Sequence, residues 1–391
     1  RLETELPNLR AALEYLIVHE RGEQALRLVG VLHRFWDYRS YVREGREWLQ
    51  IALAKRATAT PETVAKALQG SGWLAYRQGD LSAAHRLLQE GLTLFQVTED
   101  EYGVADVLQM MGVIEMDRGE YAIGKQHLEQ SLQLSQQLND LPGIARAIAR
   151  LGGLAWDQDR FADARDCYLE NLRLQREIGH QVHVAVAALN VGDAERMLGN
   201  YTSARNYYEE SLQIAQTLQH KGVTGAVLKS LGLLAFRQED YHQARQYSEE
   251  ALHIFQEVGD KSHIGFAYSS VGDVHRKFGD NNQALTCYTH YLQIMVEIGY
   301  KWPTFDALES ICDLLTEAGQ HFDSATRFWG TAQRLREETG IAVAADQQAK
   351  YERIVTCLRQ QLGDTRFQEL IQQGHTTPLT QLVGEALALA L

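Results

Sequence analysis

The chain has 391 residues, and its 38 lysines and arginines are outnumbered by 51 aspartates and glutamates, so its net charge is −13. A surface of this sign repels nucleic acid, which argues against direct DNA or RNA binding. The sequence contains no signal peptide and no apolar run long enough to cross a bilayer, and its four cysteines form no CxxC pair. We therefore expect reduced thiols, no membrane contact and a cytoplasmic location.

The first part of the chain, residues 1–63, is predicted to be helical and only partly in register with the repeats that follow. One amphipathic helix precedes a hairpin formed by residues 25–38 and 42–54. We interpret this hairpin as a degenerate repeat unit at the end of an array, closed by a break at residues 57–62. Because the chain opens at Arg1 without a methionine, we expect it to be part of a longer protein.

A 40-residue repeat organises residues 64–343, and a repeat of this period decides the fold before any other feature. Seven units share a small residue in a first helix, a second small residue after a turn, and a leucine further on. Their first residues are Val64, Val104, Ile144, Val184, Thr224, Ile264 and Thr304. The small residues of the first helices are Gly72, Gly112, Gly152, Gly192, Gly232 and Gly272, with Cys312 in the last unit.

Each unit is predicted to be a helical hairpin. In the fourth unit, apolar residues follow three-and-four spacing, which is typical of an amphipathic helix. This helix stops at Gly199-Asn200, since glycine favours a helix C-terminus and asparagine can cap the next helix. A glycine inside a helix costs roughly 1 kcal/mol relative to alanine. We therefore expect Gly192 and Ala204 to let the two helices pack backbone to backbone, with Tyr208 beside them.

The unit resembles the tetratricopeptide repeat (TPR), in which a small residue in the first helix is followed by small, aromatic and small residues in the second. The residues at those positions are Gly192, Ala204, Tyr208 and Ser211. HEAT repeats and propeller blades have similar periods, but the sequence has no alternating strand pattern, and the glycine column is unlike HEAT repeats. The resemblance implies an all-α fold, a right-handed TPR superhelix (α-solenoid) of antiparallel helical hairpins.

After residue 343 the repeat register is lost, and residues 344–391 are predicted to be C-terminal capping helices. Two helices over residues 345–362 and 364–373 are followed by a last apolar helix that ends at Leu391. We expect these helices to cover the last hairpin, as terminal caps do in repeat proteins.

Both ends of the chain resemble the TPR region of large bacterial signal-transduction ATPases (the STAND class), many of which are transcription regulators with LuxR-type or winged-helix DNA-binding domains. The N-terminal residues that carry this resemblance are Leu9-Arg10-Ala11-Ala12-Leu13, Phe35-Trp36 and Glu44-Gly45-Arg46-Glu47-Trp48-Leu49. The C-terminal ones are Gly330-x-Ala332-x-x-Leu335-Arg336, Tyr351-Glu352-Arg353, Leu362-Gly363 and Gly384-Glu385-Ala386-Leu387. The resemblance implies a sensor region, and neither a nucleotide-binding domain nor an output domain lies in this sequence.

The sequence offers no candidate catalytic, metal or cofactor site. The stretch from Gly119 to Lys125 matches part of a phosphate-binding loop, yet it lacks the Ser or Thr that binds metal and follows no strand. Its two glycines lie at the turn and at the small-residue position that recur in the other repeat units. The fourteen histidines show no HExxH spacing. We therefore expect no enzymatic activity and no cofactor.

In the TPR family the first helices line a concave groove, and residues on this face that the core does not need are candidate binding residues. Aromatic and arginine side chains on such a surface are typical binding anchors. The alternative is that each one packs on the next unit or pairs with a neighbouring acid. The predicted site residues are Trp73, Tyr76, Arg146, Arg150, Trp156, Asn190, Asp193, Arg196, Lys229, Phe236, Arg237, Asp273 and Arg276. An acidic or carboxylate-bearing feature of the ligand is expected at Arg196, Lys229, Arg237 and Arg276.

These observations predict a non-catalytic ligand-sensing or protein-binding TPR domain, the sensor region of a STAND regulator. A peptide, a partner protein or a small effector would bind the groove, and the nucleotide-binding domain of the same parent chain would be a further partner. Control of that ATPase requires different ligand affinities in two states. The alternative is a constitutive TPR scaffold that bridges protein partners, which a parent without an upstream phosphate-binding loop would favour.

Overall fold

The computed structural model describes residues 4–38, 41–339, 343 and 347–390, and all regular secondary structure in these residues is helical. The chain forms two compact units, residues 1–190 and 191–391. The division between them falls inside a helix, Gln181–Met197.

In its described residues, the first unit contains nine complete helices, the first part of a tenth, and a short 3-10 turn at Arg56–Thr58. The helices are α1 (Leu6–Val18), α2 (Gly22–Tyr38), α3 (Val42–Leu53), α4 (Pro61–Arg77), α5 (Leu81–Val97), α6 (Glu101–Asp117), α7 (Tyr121–Gln137), α8 (Leu141–Asp157), α9 (Phe161–Ile178) and α10 (Gln181–Met197). Helices α4 and α5, α6 and α7, and α8 and α9 pack as hairpins, and α5 and α7 also pack on the first helix of the next hairpin, α6 and α8 respectively. The predicted N-terminal hairpin is confirmed as α2 and α3.

The second unit contains the end of α10 and three complete hairpins, followed by the C-terminal helices. Its helices are α11 (Tyr201–Thr217), α12 (Lys221–Arg237), α13 (Tyr241–Val258), α14 (Lys261–Lys277), α15 (Asn281–Ile298), α16 (Lys301–Ala318), α17 (Phe322–Thr339), α18 (Gln348–Leu362), α19 (Asp364–Thr376) and α20 (Leu379–Leu389). Helix α19 packs on α17, and α20 packs on α15. The core around the last hairpin is rich in buried aromatic rings, among them Tyr288, Tyr291, Phe305, Phe328 and Trp329.

The turn between the two helices of a hairpin requires a left-handed backbone. Gly79 and Gly199 have φ angles of +77° and +80°, a conformation that glycine adopts without strain. Where the sequence has no glycine, Asp159 and Glu239 take this position with φ angles of +56° and +63°. The predicted stop of each first helix at this turn is confirmed.

The residue after the turn caps the second helix in only some units. Oδ1 of Asp80 accepts a hydrogen bond from the backbone N–H of Ala83 at 3.0 Å, as expected for an N-cap. The prediction that Asn200 caps its helix is wrong, because its side-chain amide donates to Oε2 of Glu195 at 2.6 Å instead. Glu195 is buried, so this hydrogen bond satisfies a carboxylate that is costly to desolvate.

The glycine column makes room for a side chain of the second helix. A Cβ atom on Gly192 would lie 2.6 Å from Cε1 of Tyr208 and 3.2 Å from the carbonyl oxygen of Ala204. In the other units, the side chains that cover the glycine are Leu88, Leu128, Tyr168, Ser248 and Tyr288. The predicted close approach is therefore correct, but backbone-to-backbone packing is only part of it, since the covering side chain is the nearest group.

The predicted fold class, an all-α solenoid of helical hairpins, is confirmed in the described residues. The division of the chain at residues 63 and 343 stays a prediction. Residues 340–342 and 344–346, next to the second boundary, lie outside the described residues, and so does Leu391, the predicted end of the last helix.

Candidate binding groove

The first helices of the hairpins carry all of the predicted site residues, and in each unit we call the side of these helices on which the residues lie the groove face. In the first unit, the groove face carries Trp73, Tyr76, Arg146, Arg150, Trp156 and Asn190 on α4, α8 and α10. In the second unit, it carries Asp193, Arg196, Lys229, Phe236, Arg237, Asp273 and Arg276 on α10, α12 and α14. The two sets are described in turn.

The stretch that resembles a phosphate-binding loop is part of the repeat. Gly119 forms the left-handed turn between α6 and α7, with φ at +77°. Lys125 lies in α7, and its Nζ is 3.5 Å from Oε1 of Glu129. In the part of the chain that the structure describes, no cluster of three or more His, Cys, Asp or Glu is placed to hold a metal ion. Within the same residues, no helix combines the length and apolar character needed to cross a bilayer.

Trp73 and Tyr76 on α4 are half-buried, and each is held by a carboxylate. The indole Nε1 of Trp73 donates a hydrogen bond to Oδ2 of Asp37 on α2 at 2.7 Å. Tyr76 hydrogen-bonds Asp117 on α6, and burial is the main reason why the pKa of its hydroxyl is raised. The ring centroids of Trp73 and Tyr76 are 5.1 Å apart. Both rings therefore pack against neighbouring helices, which is the alternative to a purely ligand-binding role.

The arginines on α8 differ in their partners. Arg146 pairs with Asp106 on α6 at 2.6 Å. Arg150 is exposed, and no carboxylate of the described residues lies within 4.0 Å of it. Trp156, on the same helix, packs edge-on against Phe161 with ring centroids 5.2 Å apart. Arg150 is thus the cation on α8 that is available to a ligand.

Two carboxylates of the first unit were not predicted, Asp117 at the end of α6 and Asp157 at the end of α8. Solvent reaches part of each side chain, yet the surrounding helices desolvate both carboxylates and raise the pKa of each. Repulsion by Asp117 adds to desolvation, so the pKa of Asp157 is raised to about 6. They directly follow Met116 and Trp156, which occupy the same repeat position as Tyr76 and Phe236. Their place next to this aromatic-rich position could have identified them as candidate site residues.

Arg196 on α10 belongs to a buried network. Its side chain is only 10% exposed, and its Nη2 lies 3.6 Å from Oδ1 of Asp193. Its Nε donates to the hydroxyl of Tyr208 at 3.3 Å, and that hydroxyl donates to Oδ1 of Asp193 at 2.7 Å. The prediction that Arg196 stands apart from the core is therefore wrong, because it is hydrogen-bonded to Tyr208, which is fully buried.

Arg276 on α14 is also paired, but with different groups. Its Nη2 lies 2.8 Å from Oδ2 of Asp313 on α16, and its Nε donates to Glu317 at 3.0 Å. Asp273 instead accepts a hydrogen bond from the hydroxyl of Tyr288 at 2.7 Å. Desolvation raises the pKa of the Asp273 carboxyl, and this hydrogen bond opposes the shift. Arg276 is thus neutralised by two carboxylates of the neighbouring hairpin.

The C-terminal helix α18 contacts the first helix of the last hairpin, α16. Nη2 of Arg353 lies 2.6 Å from Oδ1 of Asp313, and Nζ of Lys350 lies 3.4 Å from Oδ2 of the same residue. The hydroxyl of Tyr351 donates to Oε2 of Glu309. Asp313 and Glu309 are both buried. The expected C-terminal cap therefore includes a polar contact between α18 and α16 that the sequence did not predict.

A pocket of about 450 Å³ lies on the groove face of the second unit. Its lining residues are Phe236, Asp273, Arg276, Lys277 and Glu317. Nζ of Lys277 is 5.9 Å from the ring centroid of Phe236. Arg237, the next residue on α12, is exposed, and no carboxylate of the described residues lies within 4.0 Å of it. The pocket thus combines an aromatic ring with groups of both charges.

Lys229 is a half-buried cation on α12. Among the described residues no carboxylate lies within 4.0 Å of its Nζ, which is 5.8 Å from the ring centroid of Phe266 on α14. Desolvation is the main cause of a lowered pKa, while the charges of Asp193 and Asp260 oppose it and that of Arg196 adds to it. Because a desolvated ammonium is costly without an ion pair, a bound anion would stabilise this position.

The two arginines of the predicted anion site are expected to differ in their effect on stability. Arg196→Ala removes the contacts to Tyr208 and Asp193, so the free energy of unfolding should fall by about 1–2 kcal/mol. Arg237→Ala changes an exposed side chain, and its effect should stay within about 0.5 kcal/mol. Urea titrations of the two variants at one salt concentration measure the difference. Equal stabilities would show that the Arg196 network contributes nothing.

Asp306 on α16 is expected to make the protein less stable as the pH rises. This half-buried carboxyl accepts a hydrogen bond from Tyr291 at 3.1 Å, and desolvation raises its pKa from 3.8 to about 6. The folded state therefore holds the proton more tightly than the unfolded state. The stabilisation is complete below the unfolded pKa and is lost as the pH rises through about 6.

The variant Asp306→Asn isolates this pH effect, since an amide does not titrate. One pKa unit corresponds to about 1.4 kcal/mol, so wild type should lose on the order of 2 kcal/mol relative to Asp306→Asn between pH 4 and pH 7. Urea titrations of both proteins across this range measure the difference. Parallel pH profiles of the two proteins would contradict the assignment.

The comparisons with known proteins agree with this fold. Residues 143–217 and 223–295 match the family model described as tetratricopeptide repeat. A Rap protein complexed with Competence and Sporulation Factor is similar with a TM-score of 0.60 and 15% identity, covering 86% of this chain and 99% of that chain. The apo form of the quorum sensor NprR from B. thuringiensis is similar with a TM-score of 0.59 and 12% identity, covering 86% of this chain and 99% of that one.

A STAND protein with a tetratricopeptide repeat sensor from Pyrococcus horikoshii is similar with a TM-score of 0.57 and 18% identity. The match covers 85% of this chain, and the chain spans half of the length of that protein. No curated protein sequence matches this chain. The chain therefore contains TPR repeats and has an all-α TPR fold, and at these identities the solved structures show the fold alone.

Proposed function

We propose that this chain is a non-catalytic TPR domain that binds a peptide, a segment of a partner protein or a small effector on its groove face. We further propose that it is the sensor region of a cytoplasmic STAND-class regulator, in which the nucleotide-binding domain of the same parent chain responds to the bound ligand. The observation that carries the proposal is the pair of cations without ion pairs, Lys229 and Arg237, on the helix that also lines the groove pocket.

The charges of the second unit favour a ligand with an anionic group on α12. Lys229 and Arg237 on that helix have no carboxylate partner among the described residues. The carboxylates of Asp313 and Glu317 on α16, in contrast, are already paired with Arg276 and Arg353. A charge-assisted hydrogen bond contributes about 1.5–3 kcal/mol, so an anion gains most where the cation has no partner.

The similar proteins support this direction. One Rap protein is complexed with a factor, NprR is a quorum sensor, and the P. horikoshii protein has a tetratricopeptide repeat sensor. A fold by itself does not determine function. The proposal therefore depends on the side chains of the groove face, and the similar structures support only the use of a TPR fold for sensing.

A selection of random phage-displayed peptides on the purified chain tests this function. We expect enriched peptides to carry an acidic group or a carboxylate and to bind the double variant Lys229→Ala/Arg237→Ala at least tenfold more weakly. Arg245→Ala is the matched control, because Arg245 is an exposed cation on the second helix α13, paired with Glu249 at 3.1 Å. If no peptide is enriched, or if the double variant binds the enriched peptides as wild type does, the proposed function is wrong.

A further inference from the structure

We infer that a cleft between α2 and α4 binds a small phosphate ester that also carries hydroxyl groups, the chemical class of the sugar phosphates. The cleft lies in the first unit and has a volume of about 760 Å³, within the range of small-molecule sites. Residues of α2 form one wall, and Thr60 with the first half of α4 forms the other. The inference goes beyond the proposed function, since none of these residues belongs to the predicted site.

The two walls of the cleft are held together by Glu23 on α2. Its Oε2 accepts a hydrogen bond from the backbone N–H of Thr60 at 2.9 Å, and its Oε1 accepts one from the hydroxyl of Thr63 at 2.9 Å. Nε of Arg27 lies 2.8 Å from the same Oε1. The hydrogen bond from Thr60 is the main cause of a lowered pKa of the Glu23 carboxyl. Glu23 is therefore ionised at neutral pH, and it neutralises Arg27.

Each wall also carries one cation without an ion pair. Arg34 on α2 and Lys66 on α4 line the cleft, and both are exposed. Among the described residues, no carboxylate lies within 4.0 Å of either side chain. Glu62, an exposed residue of α4, contributes the acid of the lining. The walls therefore carry more positive than negative charge, in a protein whose net charge is −13.

Two buried polar side chains line the cleft, His33 at 8% exposed and Gln69 at 9%. Nδ1 of His33 donates to the carbonyl oxygen of Gly30 at 2.6 Å, so Nε2 of the neutral ring is an acceptor. Burial is the main cause of a lowered pKa of His33, which keeps this ring neutral at pH 7. Within the part of the chain that the structure describes, neither Nε2 of His33 nor the side-chain amide of Gln69 has a hydrogen-bond partner.

The equivalent residue of the next repeat unit shows what Gln69 lacks. Gln109 occupies the same repeat position, and its amide Nε2 donates to the carbonyl oxygen of Gly143 at 3.3 Å. Buried polar groups are nearly always hydrogen-bonded, because leaving one unsatisfied costs free energy. Gln69 has the same burial without such a bond, and it faces a cleft large enough for a ligand. This combination indicates a polar ligand in the cleft.

The positions of the charges favour a phosphate over a carboxylate. A phosphate monoester has a charge of about −1.5 to −2 at pH 7 and three acceptor oxygens. It can neutralise Arg34 and Lys66 on opposite walls together, whereas a carboxylate neutralises one cation. The guanidinium group binds phosphate oxygens bidentately, and the ammonium group adds a point charge. Hydroxyl groups of the same ligand can donate to Nε2 of His33 and can pair with the amide of Gln69.

Calorimetric titration of the purified chain with glycerol 3-phosphate, ribose 5-phosphate and glucose 6-phosphate tests the site. At least one ester should bind about tenfold or more tightly than both its parent polyol and inorganic phosphate. The double variant Arg34→Gln/Lys66→Gln should abolish the preference for the ester over the polyol, since it removes both charges and keeps polar side chains. Gln69→Leu should weaken binding of the ester and leave binding of inorganic phosphate unchanged.

Lys125→Gln is the matched control, because Lys125 is an exposed cation of the same unit that is paired with Glu129 at 3.5 Å. It should bind the esters as wild type does, and thermal unfolding confirms that each variant is folded. Three results would overturn the inference: no binding of any ester, an ester that binds no more tightly than its polyol or than inorganic phosphate, or ester affinity that survives the double variant. Peptides from the display selection that depend on Lys229 and Arg237 would support the proposed function in each of these cases.

Discussion

Replacing Gly192 with leucine is expected to lower the free energy of unfolding by about 3 kcal/mol or more. A Cβ atom at this position would lie 2.6 Å from the ring of Tyr208 and 3.2 Å from the carbonyl oxygen of Ala204, so the ring has to move. Overpacking of a core costs about 1–3 kcal/mol. Displacement of the ring also breaks the hydrogen bond from Tyr208 to Asp193, which contributes about 1 kcal/mol.

The matched control is Gly199→Leu, at the turn of the same hairpin. Gly199 has a φ angle of +80°, and no atom lies within 4 Å of the position that its Cβ would take. The cost of this variant is therefore backbone strain alone, about 1–2 kcal/mol. Urea titrations of both variants measure the two losses. Equal losses would contradict the conclusion that the glycine column accommodates the covering side chain.

Asp313→Ala is expected to have a second large effect, a loss of about 3 kcal/mol in the free energy of unfolding. Asp313 is 2% exposed and is shared by Arg276, Lys350 and Arg353. Removal of one partner from a buried ion pair costs about 3–5 kcal/mol, because the other charge is left without compensation. The lower end applies here, since the side chain of Arg353 is 47% exposed and can be solvated.

Hydrogen exchange gives this prediction a second readout. The backbone amides of α18 should exchange faster in Asp313→Ala, because Lys350 and Arg353 both lose their contact with Asp313 and only Arg353 keeps a second partner on α16, Glu317. Asp323→Ala is the control, since Asp323 pairs with Arg366 at 2.6 Å with both side chains 45% exposed, and such a pair contributes about 0–1 kcal/mol. Unchanged protection of α18 together with wild-type stability would show that these ion pairs do not hold the helix.

The residues of the groove face show how much of the binding site could be predicted from positions that recur in every repeat unit. These repeat positions correctly predicted that Arg196, Lys229, Arg237 and Arg276 lie on first helices. They did not predict which of the four cations form ion pairs. Arg196 is paired with the core residue Tyr208, whereas Lys229 has no ion pair among the described residues. The difference depends on which acid or hydroxyl each neighbouring helix presents, and helical periodicity contains no information on it.

Phe266, Trp302 and Asp306 were missed for a related reason. Most of the predicted binding residues lie in the second half of a first helix, whereas these three residues lie near the starts of α14 and α16. Only Arg146 on α8 was predicted from the repeat position that Phe266 and Asp306 share. Their arrangement becomes visible only when consecutive first helices are placed side by side. The contact between Phe266 and Trp302 joins two residues that occupy different positions of the repeat unit.

The sequence by itself determined the helices, the hairpins and the glycine positions of this protein. Those features follow from short-range regularities: a helical apolar period, a left-handed turn, and a small residue wherever a partner side chain crosses. Only the tertiary structure decided which charged side chains form ion pairs and with which partner. Arg276 reaches Asp313 from 37 positions away and Arg353 reaches it from 40, each from a different helix. Such pairs form when helices meet, because a charge is stabilised by whichever group lies nearest in space, and distance along the chain does not determine that.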